Sequence, residues 1–398
     1  MSEQLVVTFN AGSSSLRCGV FKLTPDGPLQ IRNFHIRGLP WHMVLTEKDP
    51  KTGRTQETDL GNPSSVESAH PEALTHTMAR LDGLSDLGKI AAFSHRVVHG
   101  GADFAEPVLI TDDVMTRLET LVRLAPSHQP HNLRPIRQLR THFPATPQIA
   151  CFDTAFHRTQ PRVAQLFGLP RELADDGVLR YGFHGLSYDY IAHTLARRFP
   201  DLADKRIIMA QLGNGVSMCA MTGGQSVATT MGLTALDGLP MGRRCGALDP
   251  GAVLHLIIDR GYSAEEVHAM LYERSGLLGV SGISGEMNDL LASDRAEAAE
   301  AVDFFCYQCG RTFGSLAAAM GGVDGVVLTG GMGEYIPALR ARLVRELAWL
   351  GAELDEGANA EGGPVLTTGD SRLPVLMLPT DEERVLARQA YEVLGGDG

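Results

Sequence analysis

LVVTFNAGSSSLRCGVF, the stretch from Leu5 to Phe21, decides the fold. Leu5 to Phe9 are apolar or β-branched and predict a short buried strand. They run into Asn10-Ala11-Gly12-Ser13-Ser14-Ser15, small residues that let backbone N–H groups turn toward an anion, and Leu16 to Phe21 predict a second strand. Strand, tight polar turn and strand make a hairpin whose tip can hold phosphate through N–H and hydroxyl donors. The same residues also suit an ordinary serine-rich hairpin.

The pattern recurs. Ile207 to Leu212 is a short apolar strand ending in Gly213-Asn214-Gly215, and Val216 to Met221 returns as the next strand. Two hairpins of one type in two halves predict a duplicated domain, two lobes that clamp a nucleotide between them. A chain of 398 residues is too long for one core and agrees with two domains. Nearer the end, Val323 to Leu328 is a strand that meets Thr329-Gly330-Gly331-Met332-Gly333-Glu334 before a helix over about 336–350. Such a turn brings a ligand close to backbone at a helix N-terminus. It is neither a GxGxxG fingerprint nor a P-loop. A last strand, Val375 to Leu378, runs through Pro379-Thr380-Asp381 to Glu382 and Glu383 at the start of a terminal helix. Carboxylates there cap the helix or bind metal.

Between these landmarks the spacing predicts helices over 71–81, 112–124 (capped by Thr111 or Asp112), up to about 141, from the RYGFHGLS stretch to 199, and over 298–320. Residues 24–70 are rich in turn signals and predict short strands and loops. A formal charge of −12 argues against a nucleic-acid partner. No stretch reaches the roughly 20 uninterrupted apolar residues of a membrane span, and no basic n-region opens the chain, so a cytoplasmic protein is expected. The 6 cysteines are scattered, as in a reduced compartment. Only Cys306 and Cys309 are close, and one pair cannot complete a four-ligand metal site.

The polar groups at strand ends and glycine turns are Asn10, Arg96, Asp153, His184, Asn214, Arg244 and Glu382. Strand ends are where α/β folds place ligands. Arg96 in HRVVHG and Arg244 in MGRRCG suit a bidentate grip on a small carboxylate or phosphate. Asn10, Asp153 and Glu382 offer oxygens to Mg²⁺ or its waters. Phosphoryl transfer needs this kind of alignment and positive charge, and little covalent chemistry.

With these residues in view, the chain resembles the acetate kinase (acetokinase) family, of the acetate and sugar kinase, chaperone and actin superfamily. The segments that carry the resemblance run nearly end to end: FNAGSSSLR, HRVVHGG, LAPSHQP, FDTAFHRTQP, RYGFHGLS, LGNGVS, MGLTALDGLPMGRRCGALDPG, SGLLGVSGIS, TGGMGE and PTDEE. The resemblance implies an α/β protein of two duplicated ribonuclease-H-like (actin-like ATPase) domains with an interdomain cleft. The first would hold residues 1–155 plus 382–398. The second, 156–381, would carry the nucleotide site and the dimer contact. It implies a homodimer in which ATP and acetate give ADP and acetyl phosphate, with Mg²⁺ or Mn²⁺. By the same resemblance Asn10 and Glu382 match metal ligands. Arg96 matches the carboxylate-binding arginine, Asp153 the catalytic aspartate, and His184 and Arg244 the pair that stabilises the transition state. The phosphate loop is Gln211, Leu212, Gly213, Asn214 and Gly215. The adenosine loop is Gly331, Met332, Gly333, Glu334 and Tyr335. An acceptor carboxylate is ionised at neutral pH, so Asp153 is expected to organise Mg²⁺ and arginine and not to take a proton.

Several positions depart from the family pattern. Arg17 stands for Lys, Gln211 for His and Tyr335 for Asn. Glu286, Met287 and Asn288 stand where Asp, an apolar residue and Arg are usual. The small acceptor pocket keeps Val98 and Phe183, but Ser127 replaces Leu and Ala235 replaces Pro, both with loss of apolar volume. A roomier pocket points to propionate or butyrate as an alternative acid, and Arg17, Asn288 and Tyr335 to a different phosphoryl donor. A nucleotide-binding module without transfer activity is the reading from another class. Arg96, Asp153, His184 and Arg244 speak against it, because a binder needs no acid-gripping arginines.

Overall fold

A computed structural model describes residues 3–12, 14–126 and 128–395. The chain divides into two compact units: residues up to Ala155 together with those from Asp381 onward, and Phe156–Thr380.

The first unit is built on an eight-stranded sheet: β1 (Gln4–Ala11), β2 (Ser15–Thr24), β3 (Gly27–Arg37), β4 (Met43–Lys48), β5 (Thr55–Gly61), β6 (Lys89–Val97), β7 (Val108–Leu109) and β8 (Gln148–Phe152). Their order across the sheet is β5-β4-β3-β2-β1-β6-β8-β7. The opening hairpin forms as read, with Asn10 opposite Arg17 in the antiparallel β1–β2 pair; Ser13 at its tip lies outside the described residues. β6 and β8 then add in parallel. The turn-rich stretch after β2 is more regular than its composition suggests. It forms the antiparallel strands β3, β4 and β5, which extend the sheet beyond the hairpin.

Alternation along β1 divides its side chains between two faces. Leu5, Val7 and Phe9 join the core under the helix Ala69–Asp82, where Leu74 and Leu81 meet them. Thr8 lies on the other face, and the C-terminal helix Glu382–Val393 packs across β1, β3 and β6. Gly19 makes this approach possible: a Cβ there would stand 2.8 Å from Thr8 Oγ1 and 3.1 Å from Glu383 Oε2. The Ser94 hydroxyl donates to the Leu386 carbonyl across the same contact, at 2.8 Å.

The second unit carries β9 (Arg206–Leu212), β10 (Val216–Thr222), β11 (Gln225–Thr229), β12 (Gly325–Thr329) and β13 (Val375–Met377), ordered β11-β10-β9-β12-β13. β9–β10 and β10–β11 are antiparallel, while β9–β12 and β12–β13 are parallel. That is the order and sense of β3-β2-β1-β6-β8, so the duplicated domain expected from the two hairpins is present as a topology. Tyr188, Ile191 and Leu195 of the helix Gly185–Arg198 close one face of this sheet against Ile207, Met209 and Val327. The helix Ala296–Ala319 packs against β9, β10 and β11, with Phe305, Cys309 and Phe313 fully buried. Burial pushes the Cys306 thiol up to about 11, so Cys306 and Cys309 behave as small apolar residues.

Two stretches differ in kind from the sequence expectation. The helix from Asp112, capped by Thr111 Oγ1 accepting from the Val114 amide, ends at Thr120 and tightens into a 3-10 turn to Leu124. After β12 there is no loop: a short helix, Gly330–Tyr335, begins at once, and a second, Pro337–Glu346, follows. Gly330 permits the abrupt entry because it adopts φ +79°, and any Cβ would lie 2.8 Å from the Leu212 carbonyl oxygen. The joint between the two helices is held by Arg340, which is 1% exposed. Its guanidinium donates to the Gly333 and Glu334 carbonyls, at 3.1 and 2.8 Å, and to Asn359 Oδ1 at 2.9 Å.

Glu383 gives the C-terminal helix a pH-dependent hold on the sheet. It is buried, accepts from Asn33 Nδ2 at 2.5 Å and from Gln30 Nε2 at 3.3 Å, and burial raises its carboxyl to about 7, against the pull of Arg17. The folded state therefore binds this proton more tightly than the unfolded chain, whose value is 4.5. The contribution is full below 4.5 and is lost as pH rises through about 7. Glu383→Gln mimics the protonated carboxyl. It is expected to raise the unfolding free energy at pH 8, by on the order of 3 kcal/mol, and to leave it unchanged at pH 4.5. Urea unfolding of both proteins at the two pH values checks this.

Candidate functional site

In the first unit, Asn10 lies near the end of β1, Arg96 near the end of β6, Asp153 just after β8, and Glu382 in the first turn of the C-terminal helix. Their side chains form one cluster. Arg96 grips Asp153 bidentately, with Nε–Oδ1 at 3.0 Å and Nη2–Oδ2 at 2.7 Å. Its Nη1 donates to Asn10 Oδ1 at 3.1 Å and lies 3.2 Å from Glu382 Oε2, which also accepts from Asn10 Nδ2 at 2.9 Å. Asp153 is 1% exposed. Burial raises its carboxyl and Arg96 acts against that rise. Burial alone would lower Arg96; Asp153 and Glu382 more than reverse this and hold the guanidinium charged. Of the two adjacent glutamates it is Glu382 that joins the cluster, while Glu383 turns to Asn33.

Two residues not singled out from the sequence fix the backbone here. Asn132 donates to the Ala11 carbonyl at 2.7 Å and accepts from the Val98 amide at 2.9 Å, tying the tail of β1 to that of β6. Gln129 pairs with both backbone groups of His99, each at 3.1 Å. Val98 itself is buried. Arg17, across the hairpin from Asn10, is exposed. Ser127 lies outside the described residues.

In the second unit, His184 precedes the helix Gly185–Arg198 with φ 59°, the one non-glycine residue with positive φ among those described. Phe183 beside it is buried, and its carbonyl accepts from Nε2 of buried His157 at 3.0 Å. Burial lowers His157 to about 4, so it is neutral. Gly182 is required by this packing, since a Cβ would come within 2.5 Å of the His157 ring. His184 Nδ1 lies 2.8 Å from Ser217 Oγ on β10. Its other nitrogen points at the β9–β10 turn: a Cβ on Gly215 would stand 3.0 Å from His184 Nε2 and 3.9 Å from Arg244 Nη1. The imidazole and the guanidinium thus border the same glycine. Arg244 Nη1 donates to the Ala235 carbonyl at 3.1 Å, and burial lowers the Arg244 value.

Around that turn, Leu212 is buried and Asn214 is exposed, while Gly213 closes the hairpin through a 3.2 Å bond from its amide to the Gly215 carbonyl. The Gln211 side chain accepts from Ser187 Oγ at 2.7 Å and lies against Gly330. Gly331 and Tyr335 are exposed, Tyr335 at 78%, whereas Met332 is half-buried and Gly333 buried. Glu334 turns back on the fold: its Oε1 accepts from the amides of Gly330 and Thr380, at 3.2 and 3.4 Å. Glu286 and Asn288 are exposed at the start of the short helix Met287–Leu291; Met287 is buried and packs that helix down.

Comparison with known proteins agrees with the sequence resemblance. The profile of the Acetokinase family matches residues 5–388. An acetate kinase of Rhodopseudomonas palustris is 45% identical over the whole of both chains. One of Clostridium beijerinckii is 36% identical over 98% of this chain and 99% of its own. Among solved structures, a propionate kinase from Francisella tularensis superposes with a TM-score of 0.86 at 31% identity, covering 98% of this chain and 99% of the other. The Porphyromonas gingivalis acetate kinase gives 0.84 at 30%, covering 98% and 100%. The match reaches from β1 into the C-terminal helix and takes in every polar group placed above, and on that footing the chain belongs to the acetokinase family.

Proposed function

We infer that this chain transfers the γ-phosphoryl group of ATP to acetate, giving acetyl phosphate and ADP by direct in-line attack. Family membership over nearly the whole chain supports the reaction class. The observation that carries the chemistry is the shared border of His184 Nε2 and Arg244 Nη1 at Gly215, two donors fixed beside a hairpin turn of small residues.

A carboxylate oxygen of acetate forms the new P–O bond while the bond from the γ-phosphorus to the β–γ bridging oxygen breaks, and ADP leaves with that oxygen. Acetate is ionised at neutral pH, so no proton has to be removed. Asp153 then serves by holding Arg96. Its two oxygens occupy the Nε/Nη2 edge of the guanidinium, Asn10 and Glu382 take Nη1, and the second N–H of Nη2 is the donor assigned to the acetate carboxylate. His184 and Arg244 donate to the γ-phosphoryl oxygens as charge shifts among them. Gly213 to Gly215 follow the phosphates by backbone, and Gly331 to Tyr335, Glu286, Asn288 and Arg17 are assigned to the nucleotide.

A divalent cation, Mg²⁺ or Mn²⁺, would supply charge to offset that of the phosphates. Among the described residues there is no group of three or more His, Cys, Asp or Glu set to hold a metal ion. The donors present, Asn10 and Glu382 with Asp153 behind them, are oxygens only. That set suits a hard cation, which Asn10 and Glu382 would hold.

A second acid is favoured by two observations. Ala235 and Ser127 each remove apolar volume relative to the family pattern, and a propionate kinase is among the similar solved structures. We also assign a homodimer contact to the helix Pro250–Ile258. None of its residues is buried, although its sequence is PGAVLHLII, and Leu254 and Ile258 are 55% and 73% exposed.

Trapping acyl phosphate as hydroxamate tests the reaction. Product should require both ATP and a short-chain acid, and should fall by about 10²-fold or more in Arg244→Ala with nucleotide affinity largely kept. Turnover that survives this substitution would remove Arg244 from the assigned role. In the same assay kcat/KM should decline by no more than about tenfold per methylene from acetate to propionate to butyrate; a steeper fall contradicts the roomier pocket. Leu254→Glu with Ile258→Glu should convert a dimer to a monomer in light scattering, and an unchanged mass would move the contact elsewhere.

A further inference from the structure

His184 makes a contact on the side away from Gly215 that nothing in the phosphoryl-transfer scheme uses. Its Nδ1 lies 2.8 Å from Ser217 Oγ, and that hydroxyl is itself hydrogen-bonded to the Tyr188 phenol at 2.5 Å. Ser217 and Tyr188 are both 0% exposed. Three elements supply the three groups. His184 caps the helix Gly185–Arg198, Tyr188 sits one turn into that helix with its amide donating to the His184 carbonyl at 3.1 Å, and Ser217 lies on β10 opposite Gln211. A buried serine and a buried tyrosine in a β-sheet core are retained at a cost unless each proton has an acceptor.

We propose that Tyr188 and Ser217 are positioning residues that fix the tautomer of His184, keeping the ring proton on Nε2, the nitrogen that borders Gly215 and Arg244. The proposal rests on the reading of His184 as a donor to the transferred phosphoryl group.

The direction of the chain follows from counting protons. Burial holds the Tyr188 phenol protonated, well above its usual value, and its hydrogen-bond partner is Ser217 Oγ. A buried phenol proton needs an acceptor, and Ser217 Oγ is the one in reach. Ser217 then has its own single proton left to give, and Nδ1 of His184 is within reach to accept it. A neutral imidazole that accepts at Nδ1 carries its proton on Nε2, where it is a hydrogen-bond donor. The reverse orientation would put the ring proton on Nδ1 and turn a lone pair toward Gly215, facing anionic phosphate oxygens. The left-handed backbone at His184 serves the same end: with φ 59° the ring spans from the β10 hydroxyl to the hairpin turn.

The test is ¹⁵N NMR of the histidine-labelled full-length enzyme, with His184→Ala identifying the resonances, alongside hydroxamate kinetics. In the parent protein His184 should be the Nε2–H tautomer. Ser217→Ala should yield a mixed or Nδ1–H ring and lower kcat by roughly 10²-fold with KM for acetate and ATP little changed. Tyr188→Phe, which keeps the ring volume, should shift the tautomer ratio less, and Ser217→Thr should restore both tautomer and kcat. An unchanged Nε2–H signal in Ser217→Ala overturns the proposal, whether or not kcat falls. Full turnover in His184→Ala would instead overturn the reading of His184 on which it rests, leaving the tautomer result standing.

Discussion

The ion pair between Arg96 and Asp153 is the constraint on which the first unit's chemistry depends. A guanidinium and a carboxylate taken out of water cost more in lost hydration than their attraction alone returns, unless geometry and further hydrogen bonds are good. Here the contact is bidentate, and Glu382 and Asn10 engage the remaining guanidinium nitrogen. An apolar cluster of equal volume would hold the sheet at least as well. What the charged cluster provides is registration: the ends of β1, β6 and β8 and the first turn of the C-terminal helix are brought to one guanidinium. Glu382 gains further from its place in that turn, where the helix dipole favours an anion.

The second unit repeats the strand order with different chemistry at the same places. By register, Asn10 on β1 corresponds to Gln211 on β9, Arg17 on β2 to Ser217 on β10, and Arg96 on β6 to Thr329 on β12. One sheet end is ionic and the other is built from neutral hydrogen-bonding groups and glycine, with His184 and Arg244 brought in from the segments around it. Duplication supplied the scaffold, and substitution at corresponding strand ends separated an anion-rich cluster from a donor-rich one. Arg340 shows how far the second unit depends on backbone carbonyls: its buried guanidinium is held by Gly333, Glu334 and Asn359 and so fixes the segment assigned to adenosine.

Much of this is legible in the sequence. Short apolar runs ending in small residues marked β1, β9 and β12, and the polar groups at strand ends included all four members of the Arg96 cluster. Signals of that kind are local: composition, alternation and turn residues within a window of about ten. The supporting residues were not legible for the same reason. Asn132 acts on Ala11, Ser217 on His184 and Asn33 on Glu383, contacts between positions 121, 33 and 350 residues apart. A lone Asn or Ser carries no mark of such a partner. Loop composition between β2 and the helix Ala69–Asp82 marked short strands and loops but not the length and continuous pairing of β3 to β5, whose stability comes from pairing with a sheet already present. Glu334 and Met287 also have structural contacts that the motif does not reveal: the carboxylate accepts from the Gly330 amide and the Met287 side chain is buried.

A double-mutant cycle over Arg96 and Asp153, read as kcat/KM for acetate, tests the central claim most directly. If Asp153 acts by fixing Arg96, Asp153→Asn should slow the parent enzyme by roughly 10²-fold yet change the Arg96→Ala enzyme by no more than about twofold. Losses that multiply across the two substitutions would mean that Asp153 acts on the reactants independently of Arg96, and would contradict the account.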